Sequence, residues 1–273
     1  MRCYISLTVL LVCVYCKPFD KFESIFPKIK GTHDGYLFQG DMIMSRAEIE
    51  IAMKGGDVDS ISENAYGLMN SKYRKWPNAV VPYNITEIKN KALNKLGLKG
   101  PTEKAVLKAM AAWESKTCVR FVKRTNEKDY LNFVDDGYGK CFSYAGRSGG
   151  KQKLSLGFEC FYKGIAIHEI GHALGLHHEQ SRPDRDQYVE ILWDNIKTKY
   201  KPQFKKYSHK QIDSLGSPYD YDSIMHYRSV AFGKLPFQKT IKAKVDGAKF
   251  GQRDHISVQD AWQINKFYGC KVK

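Results

Sequence analysis

The feature that most constrains the fold of this chain is the run HEIGHALGLHHE at 168–179. His168 and His172 are four residues apart, so on a helix they lie one turn apart on the same face. Two imidazoles on one helix face can bind one Zn²⁺. Gly175 can end that helix because glycine tolerates a positive φ, and the turn would bring His178 round as a third ligand. The pattern therefore predicts a zinc-binding helix that ends at this glycine.

The same run indicates catalytic zinc. Three protein ligands leave the fourth position open for water, as catalytic rather than structural zinc requires. Glu169 lies beside the first ligand, where its carboxylate can reach that water without binding the metal itself. An isolated H-E-x-x-H pattern often occurs by chance, but five fixed positions make chance a poor explanation here. The spacing from Gly175 selects His178 as the ligand, so we expect the adjacent His177 to be a polar or packed neighbour.

A second group of residues is centred 47 positions after the third histidine, in the pentapeptide SIMHY at 223–227. Met225 alone would be interpreted as a core residue, since methionine usually fills gaps. At this distance from the histidines, however, the pentapeptide is typical of a methionine-containing turn beneath a metal. Tyr227 then becomes a functional candidate. A phenol near zinc can bind the metal or donate a hydrogen bond to a developing oxyanion.

Charge divides the chain into two parts. The 273 residues suffice for one large domain or two small lobes, and their formal net charge is +15. Residues 17–64 contain 6 basic and 9 acidic residues, whereas residues 65–273 contain 37 and 20, so the two parts attract each other. The basic part could bind anionic glycans or matrix, although a solvated lysine-rich surface is the simpler interpretation. No nucleic-acid-binding motif accompanies the charge, so we expect no nucleic-acid partner.

Residues 1–16 have the pattern of a secretory signal peptide, because Arg2 precedes an apolar stretch and fairly small residues come before Lys17. The stretch is too short for a permanent membrane span and no other run is long enough, so we expect a secreted, extracellular protein. Three of the seven cysteines lie in this leader. In an oxidising compartment the other four predict two disulfides, and the sequence permits three pairings. These cysteines are Cys118, Cys141, Cys160 and Cys270.

Local patterns predict a mixed succession of strands and helices. Proline at 101 opens a helix with a buried stripe of Val106, Met110 and Trp113. The predicted strands lie at 79–85, 120–123, 130–134 and 153–156, and the predicted helices at 101–116, 164–174 and 258–266. Asn84 begins an N-x-T acceptor for glycosylation. Residues 17–64 show little periodic pattern and are interpreted as a separate segment.

Taken together, these motifs resemble the astacins, a family of secreted zinc endopeptidases within the metzincins. The resemblance covers nearly all of 76–270, and it is carried by several stretches of sequence. They are CFSYAGR at 141–147, QKLSL at 152–156, Cys160, the histidine run, RPDRD at 182–186 and the pentapeptide at 223–227. Glu179, directly after the third histidine, is the family's own addition to the metzincin pattern.

The resemblance implies a role for each site residue. His168, His172 and His178 would bind one Zn²⁺, and Glu169 would be the general base. Tyr227 would be a hinged fifth ligand that swings to the transition state, and Met225 would form the hydrophobic floor. The implied disulfides are Cys118–Cys270 and Cys141–Cys160.

The implied fold is α+β, of the two-lobed metzincin type. The N-terminal lobe would have a twisted mixed sheet with two helices, of which the second carries the zinc ligands. The C-terminal lobe would be mostly irregular with one late helix, and the cleft would lie between the lobes. We expect an edge strand around 153–156 to hold a substrate peptide by strand addition.

The resemblance also implies a precursor, in which an inhibitory propeptide (17–64) precedes the catalytic domain (65–273). Activation would cut near Asn64–Ala65, and the new N-terminal ammonium would pair with Glu179. The tetrapeptide FQGD at 38–41 resembles the family's F-x-G-D inhibitory motif. A carboxylate is an acceptable zinc ligand, so Asp41 could take the position that the catalytic water needs. The alternative for this tetrapeptide is an ordinary Gly-Asp turn.

The function expected from these residues is that of a secreted, monomeric zinc metalloendopeptidase, made as a latent zymogen, that hydrolyses internal peptide bonds of proteins or peptides. The main alternative is a catalytically inactive astacin-like binding or venom protein, against which Glu169 argues. A different metzincin class is disfavoured by Glu179 and Tyr227, and a structural zinc protein by the intact base. We expect no further module after Cys270.

Overall fold

The computed structural model spans Met1–Lys273 and describes residues 21–30, 32, 35–54, 74–88, 100–209 and 211–271, together with the backbone of 2–4 and 15–17. Strands β1 (Arg2–Tyr4) and β2 (Tyr15–Lys17) pair antiparallel. Among the described residues, no helix is long and apolar enough to cross a membrane. The predicted activation cut at 64–65 lies outside the described residues.

The segment before the predicted cut contains regular structure. Its elements are α1 (Lys21–Ile25), β3 (Tyr36–Phe38), β4 (Met42–Met44) and α2 (Arg46–Lys54). Phe38, Met42 and Ile49 are fully buried, and they pack with Tyr207 of the C-terminal lobe in one apolar cluster. The weak periodicity of 17–64 did not predict these elements, because such short elements acquire their burial from the surface that they cover.

A single sheet of seven strands forms the N-terminal lobe and extends into the preceding segment. Its order is β3-β4-β8-β9-β7-β5-β6. The strands not yet defined are β5 (Val80–Asn84), β6 (Arg120–Lys123), β7 (Tyr130–Val134), β8 (Cys141–Tyr144) and β9 (Lys151–Leu156). Strands β6, β5, β7 and β9 run parallel to one another, and β8 runs antiparallel to β9.

The edge of the sheet differs from the sequence prediction. Strand β9, which was expected at the edge, pairs with β7 on one side and with β8 on the other. The edge strand of the lobe is β8, because the chain turns back after β7 and adds this short strand outside β9. Strand β4 pairs with β8 in parallel orientation, with Met42 opposite Ser143 and Ile43 opposite Tyr144. The lobe therefore has an edge strand, but this edge lies one strand further out than expected and is covered by β4.

Two helices, α3 (Pro101–Lys116) and α4 (Lys163–Leu174), pack together in the main core of the N-terminal lobe. The predicted stripe of α3 is buried, and the Trp113 indole donates a hydrogen bond to the Ile167 carbonyl of α4 (3.1 Å). Helix α4 ends at Gly175, whose φ of 116° is the left-handed conformation that glycine tolerates at a helix end. This turn redirects the chain towards His178.

The C-terminal lobe is mostly irregular. It contains one antiparallel pair, β10 (Val189–Ile191) with β11 (Ile241–Ala243), several short 3₁₀ turns and the late helix α5 (Val258–Tyr268). Disulfides link Cys118 to Cys270 and Cys141 to Cys160, which is the pairing that the resemblance implied. The first bond ties the end of α3 to the end of α5, so it joins the two lobes. The predicted two-lobed α+β fold is confirmed.

Candidate metal centre

Three buried histidines converge on one point. His168 and His172 come from successive turns of α4, and His178 comes from the chain that follows Gly175. The Nδ1 atom of His168 faces the Ile224 carbonyl and that of His172 faces the Leu176 carbonyl, each at 2.8 Å. A carbonyl only accepts, so Nδ1 carries the proton in both rings and each Nε2 offers a lone pair.

The Asp41 carboxylate lies directly opposite these lone pairs. Its oxygens are 3.1 Å from Nε2 of His168, 3.5 Å from Nε2 of His172 and 3.1 Å from Nε2 of His178. Ligand atoms about 2.0–2.1 Å from a tetrahedral zinc ion would be about 3.3 Å apart, which agrees with these distances. Among the described residues, these four form the one group of three or more possible ligand side chains that surrounds a metal-sized space.

The protonation of this group shows why a cation fits. Burial lowers the pKa of His168 to about 3 and the pKa of His178 to about 4, so both imidazoles are neutral at physiological pH. Neutral rings that present lone pairs and a carboxylate that presents lone pairs cannot hydrogen-bond to each other. The Nε2 atom of His172 and the Oδ1 atom of Asp41 accordingly have no hydrogen-bond partner among the described residues. The group suits one zinc ion.

Glu169 follows the first histidine on α4 and is almost completely buried. Its Oε2 atom has no hydrogen-bond partner in the described part of the chain. Burial, and secondarily the charge of Asp41, raises the pKa of this carboxyl well above its usual value. A buried carboxyl without a protein partner beside a metal site is available for proton transfer with a reactant.

The Met225 side chain packs against Gly171 of the zinc helix, and its role as the floor of a metal site stays a prediction. A Cβ atom added to Gly171 would come within 2.9 Å of the Met225 sulfur. The glycine therefore allows the sulfur to approach the helix closely, at a point between the two histidines of that helix. Tyr227 is also buried, and its ring centroid is 4.6 Å from that of His178. Its hydroxyl donates a hydrogen bond to the carbonyl of Gln39.

Gln39 is a site residue that the sequence interpretation did not identify. It is fully buried, and its side-chain oxygen accepts a hydrogen bond from Nδ1 of His178 (3.1 Å) while its amide nitrogen donates to the Lys205 carbonyl (3.1 Å). It therefore contacts both the third histidine and Tyr227. Gln39 occupies the x position of the F-x-G-D pattern. That position accepts any residue type, so the pattern alone did not identify Gln39 as a site residue.

Gly40 explains how the chain passes so close to the histidines. Its φ is 89°, and a Cβ atom there would lie 2.9 Å from the ring of Phe232. Any larger residue would be both strained and in contact with this ring. Phe38, two residues earlier, packs against Tyr207 with ring centroids 6.3 Å apart, which fixes the segment on the other side of Gln39.

Asp260 is the second residue that sequence reasoning missed. It lies in the first turn of α5, where it forms a capping box with Ser257. Its carboxylate also accepts hydrogen bonds from the Ser223 hydroxyl (2.7 Å) and the Ile224 amide (2.9 Å). The carbonyl of this same Ile224 orients His168. The signal available in the sequence was the S-x-x-D capping pattern, which predicts a helix start but not its contact with the metal site.

Glu179 is buried behind the third histidine. Its Oε1 atom accepts hydrogen bonds from the Arg182 guanidinium (3.0 Å) and the Asp220 amide (2.8 Å), and burial raises its pKa to about 8. Its predicted partner, the new N-terminus near residue 65, lies outside the described residues. His177 is buried and packs edge-on against Tyr207, in agreement with its interpretation as a packed neighbour.

Asn84, the possible glycosylation site, ends strand β5. Its side-chain oxygen accepts hydrogen bonds from the amide (3.0 Å) and the hydroxyl (2.9 Å) of Thr86. These two hydrogen bonds are exposed to solvent, so the acceptor lies at the surface. Its modification remains a prediction.

Comparison with known proteins agrees with this fold and this site. In the solved structures, the chain is similar to high choriolytic enzyme 1, a hatching enzyme zinc-protease from Oryzias latipes (Medaka fish). The TM-score is 0.63 and the identity 38%, over 72% of this chain and 94% of that one. The fold of this chain is therefore shared with a known zinc-protease.

The sequence comparisons give the family. The family model for Astacin, which describes a peptidase family, matches residues 68–269. The chain is 38% identical to zinc metalloproteinase nas-15 of Caenorhabditis elegans over 86% of its length and 40% of that protein's. It is 40% identical to bone morphogenetic protein 1 of Xenopus laevis over 72% of its length and 27% of that protein's. The chain belongs to the astacin family of zinc metalloproteinases, and it spans less than half the length of these two relatives.

Proposed function

We propose that this chain is a secreted zinc metalloendopeptidase made as a latent precursor. The observation that carries the proposal is the Asp41 carboxylate, which lies within 3.5 Å of all three histidine Nε2 atoms beside a buried Glu169. An open catalytic site has this set of histidines and a base, whereas the additional carboxylate closes it. Its substrates would be proteins or peptides held in extended form.

The catalytic part of the proposal assigns one role to each residue. His168, His172 and His178 would hold zinc, which when bound supplies Lewis-acid polarisation and lowers the pKa of water to about 7. Glu169 would take a proton from the attacking water and return it to the leaving amine. Tyr227 would donate a hydrogen bond to the oxyanion of the scissile carbonyl. No covalent intermediate with the enzyme is required.

Latency in this proposal has three separate components. Asp41 takes the open ligand position, and the Gln39 carbonyl holds the Tyr227 hydroxyl. Strand β4 pairs with the edge strand β8, so an extended substrate cannot pair there. The precursor would therefore lack a free ligand position, a free oxyanion donor and a free peptide-binding edge at the same time.

Activation would remove residues 17–64, after signal cleavage at residue 16. The new N-terminal ammonium near Ala65 would then approach Glu179. The acidic balance of 17–64 against the basic remainder of the chain favours the closed precursor until that cut, because the two parts attract each other. N-terminal sequencing of the active protein tests the boundary, and a start upstream of Phe38 would contradict the scheme.

The direct test uses the purified precursor and its trimmed form. Zinc content would be measured by atomic absorption, and cleavage of a denatured protein would be followed by mass spectrometry. We expect about one zinc per chain in both forms, and internal cleavages by the trimmed form that stop when zinc is chelated. A trimmed, zinc-loaded chain that cuts no peptide would instead support the inactive binding protein.

A further inference from the structure

A tight turn in the C-terminal lobe exposes two large apolar side chains. The Gln238 amide donates a hydrogen bond to the Leu235 carbonyl (3.3 Å), which closes a β-turn with Pro236 and Phe237 at its centre. Phe237 is 90% exposed and Leu235 is 65% exposed. We call residues 234–239 the apolar turn.

The backbone of Phe237 is in the left-handed region, with a φ of 60°. A positive φ at the third position of a turn defines type II geometry, which glycine or asparagine normally occupies. For phenylalanine this conformation is strained, and its ring gains almost no packing within the chain because it is exposed. Folding alone therefore does not explain a phenylalanine here, and a contact outside the chain would.

The turn is held firmly in place. The side chain of Gln238 donates a hydrogen bond to the Asn195 side chain (2.9 Å), which in turn donates to the Lys239 carbonyl (2.7 Å). The Lys234 amide donates to the Asn195 carbonyl (2.8 Å). Trp193, two residues before this asparagine, is itself 42% exposed. The apolar tip is thus presented on a preformed base, and the exposed tryptophan lies two residues from the asparagine of that base.

Lysines surround this tip. Lys234 and Lys239 are the first and last residues of the apolar turn. Lys197 and Lys199 belong to the adjacent segment, whose Lys197 amide donates a hydrogen bond to the Phe232 carbonyl (3.2 Å). All four are exposed, and none forms an ion pair with a described residue. The segments 193–201 and 230–240 together contain one acidic residue, Asp194. These two segments together therefore carry a clear excess of positive charge.

We infer that the apolar turn binds an anionic lipid bilayer, with Leu235 and Phe237 inserted among the acyl chains and the lysines at the headgroups. Protruding apolar side chains on a rigid turn, with cations around them, match an apolar layer beneath a negatively charged surface. An acidic glycan or an acidic protein segment would pair with the lysines, but it would leave Leu235 and Phe237 exposed to water.

The position of the turn gives this binding a consequence for the metal site. Phe232 lies two residues before the apolar turn. Its ring contacts Tyr227 (centroids 5.7 Å apart) and leaves no room for a side chain at Gly40. The apolar turn therefore follows closely, in the chain, a residue that packs beside Tyr227 and Gly40 at the metal site. Binding through it would hold the cleft beside the lipid surface, whether or not the precursor has been trimmed.

The test is co-sedimentation of the purified precursor with two kinds of vesicle, phosphatidylcholine alone and an equal mixture of phosphatidylcholine and phosphatidylserine. We expect binding to the mixed vesicles only, weakened by salt. Phe237→Gly should reduce binding by about tenfold or more, through loss of phenylalanine burial. It should not lower the melting temperature, because glycine adopts the positive φ without strain. The double variant Lys234→Gln/Lys239→Gln should bind roughly thirtyfold more weakly.

Controls separate insertion from simple attraction. Phe158→Ala removes another exposed phenylalanine, on the N-terminal lobe, and should leave binding unchanged. Phe237→Trp should keep binding and show a blue-shifted emission with mixed vesicles. Equal binding by wild type and Phe237→Gly would overturn insertion and show attraction by the basic surface only. Absence of wild-type binding to either vesicle would overturn the bilayer assignment and favour a protein partner.

Discussion

Replacing Asp41 with alanine should convert the latent precursor into a partly active one without cleavage. The change removes the carboxylate that lies within 3.5 Å of three histidine nitrogens, and it leaves the rest of the segment bound. That remaining attachment is extensive, because Phe38 and Ile49 are fully buried and β4 still pairs with β8. We therefore expect a folded Asp41→Ala precursor.

The size of the effect follows from the burial of the site. Bound zinc and the Asp41 carboxylate would form a buried pair of opposite charges. Loss of one partner of such a pair costs about 3–5 kcal/mol, which corresponds to a change in equilibrium constant of the order of 10²–10³ or more. The fraction of precursor with an open site should rise by that factor, and peptidase activity before trimming should rise with it. Removal of the segment by added protease should also be faster.

The assay is the initial rate of peptide cleavage by intact precursor, with N-terminal sequencing to show that no trimming has occurred. Glu50→Gln is the matched control, since it removes the same charge from the exposed face of α2, where Glu50 pairs with Arg46 (2.9 Å). The control should remain latent. An Asp41→Ala precursor as inactive and as stable as wild type would show that the segment blocks the cleft by bulk alone, and the zinc-switch role would be wrong.

Three further variants test the remaining roles. Glu169→Gln should keep about one zinc per chain by atomic absorption and lose peptidase activity after trimming, and loss of both would show that Glu169 holds the metal site together. Tyr227→Phe should lower kcat by about 10²–10³ with a smaller change in KM, whereas unchanged kcat would exclude the hydroxyl from the reaction. Gln39→Ala should lower the zinc affinity of the precursor by about 10–100-fold in a chelator competition, because the partner of His178 Nδ1 is lost. An unchanged zinc affinity of the Gln39→Ala precursor would contradict the assignment.

Strong local periodicity explains what the sequence predicted well. Helix α3 has the predicted bounds, with Val106, Met110 and Trp113 buried, because the apolar spacing matches one helix face and Pro101 marks its start. The zinc helix begins at Lys163, one residue from its expected start, and ends where Gly175 was expected to end it. In both helices a backbone rule and a burial pattern agree.

Strands whose stability depends on a distant partner were not predictable in the same way. Strand β8 has four residues, and its place at the edge is set by pairing with β9 and β4 rather than by its own pattern. The expectation that β9 would be the edge failed because register and neighbours are properties of the whole sheet. Strands β3 and β4 have three residues each and exist as additions to that edge.

Within the metal site, the sequence revealed the residues whose spacing is fixed by one helix and one turn, but not the residues that orient them. His168 is oriented by the Ile224 carbonyl, and Ile224 is held by Asp260, which lies 36 residues further along the chain. His178 is oriented by Gln39, which precedes it by 139 residues.

Asp260 and Gln39 differ in whether they would remain in the protein after trimming. Asp260 lies within the proposed catalytic domain and would persist after activation, whereas Gln39 would leave with the segment. Trimming would therefore remove the hydrogen-bond acceptors of the His178 Nδ1–H group and of the Tyr227 hydroxyl together. Loss of the segment would thus change the surroundings of the metal ligands as well as uncover the metal site.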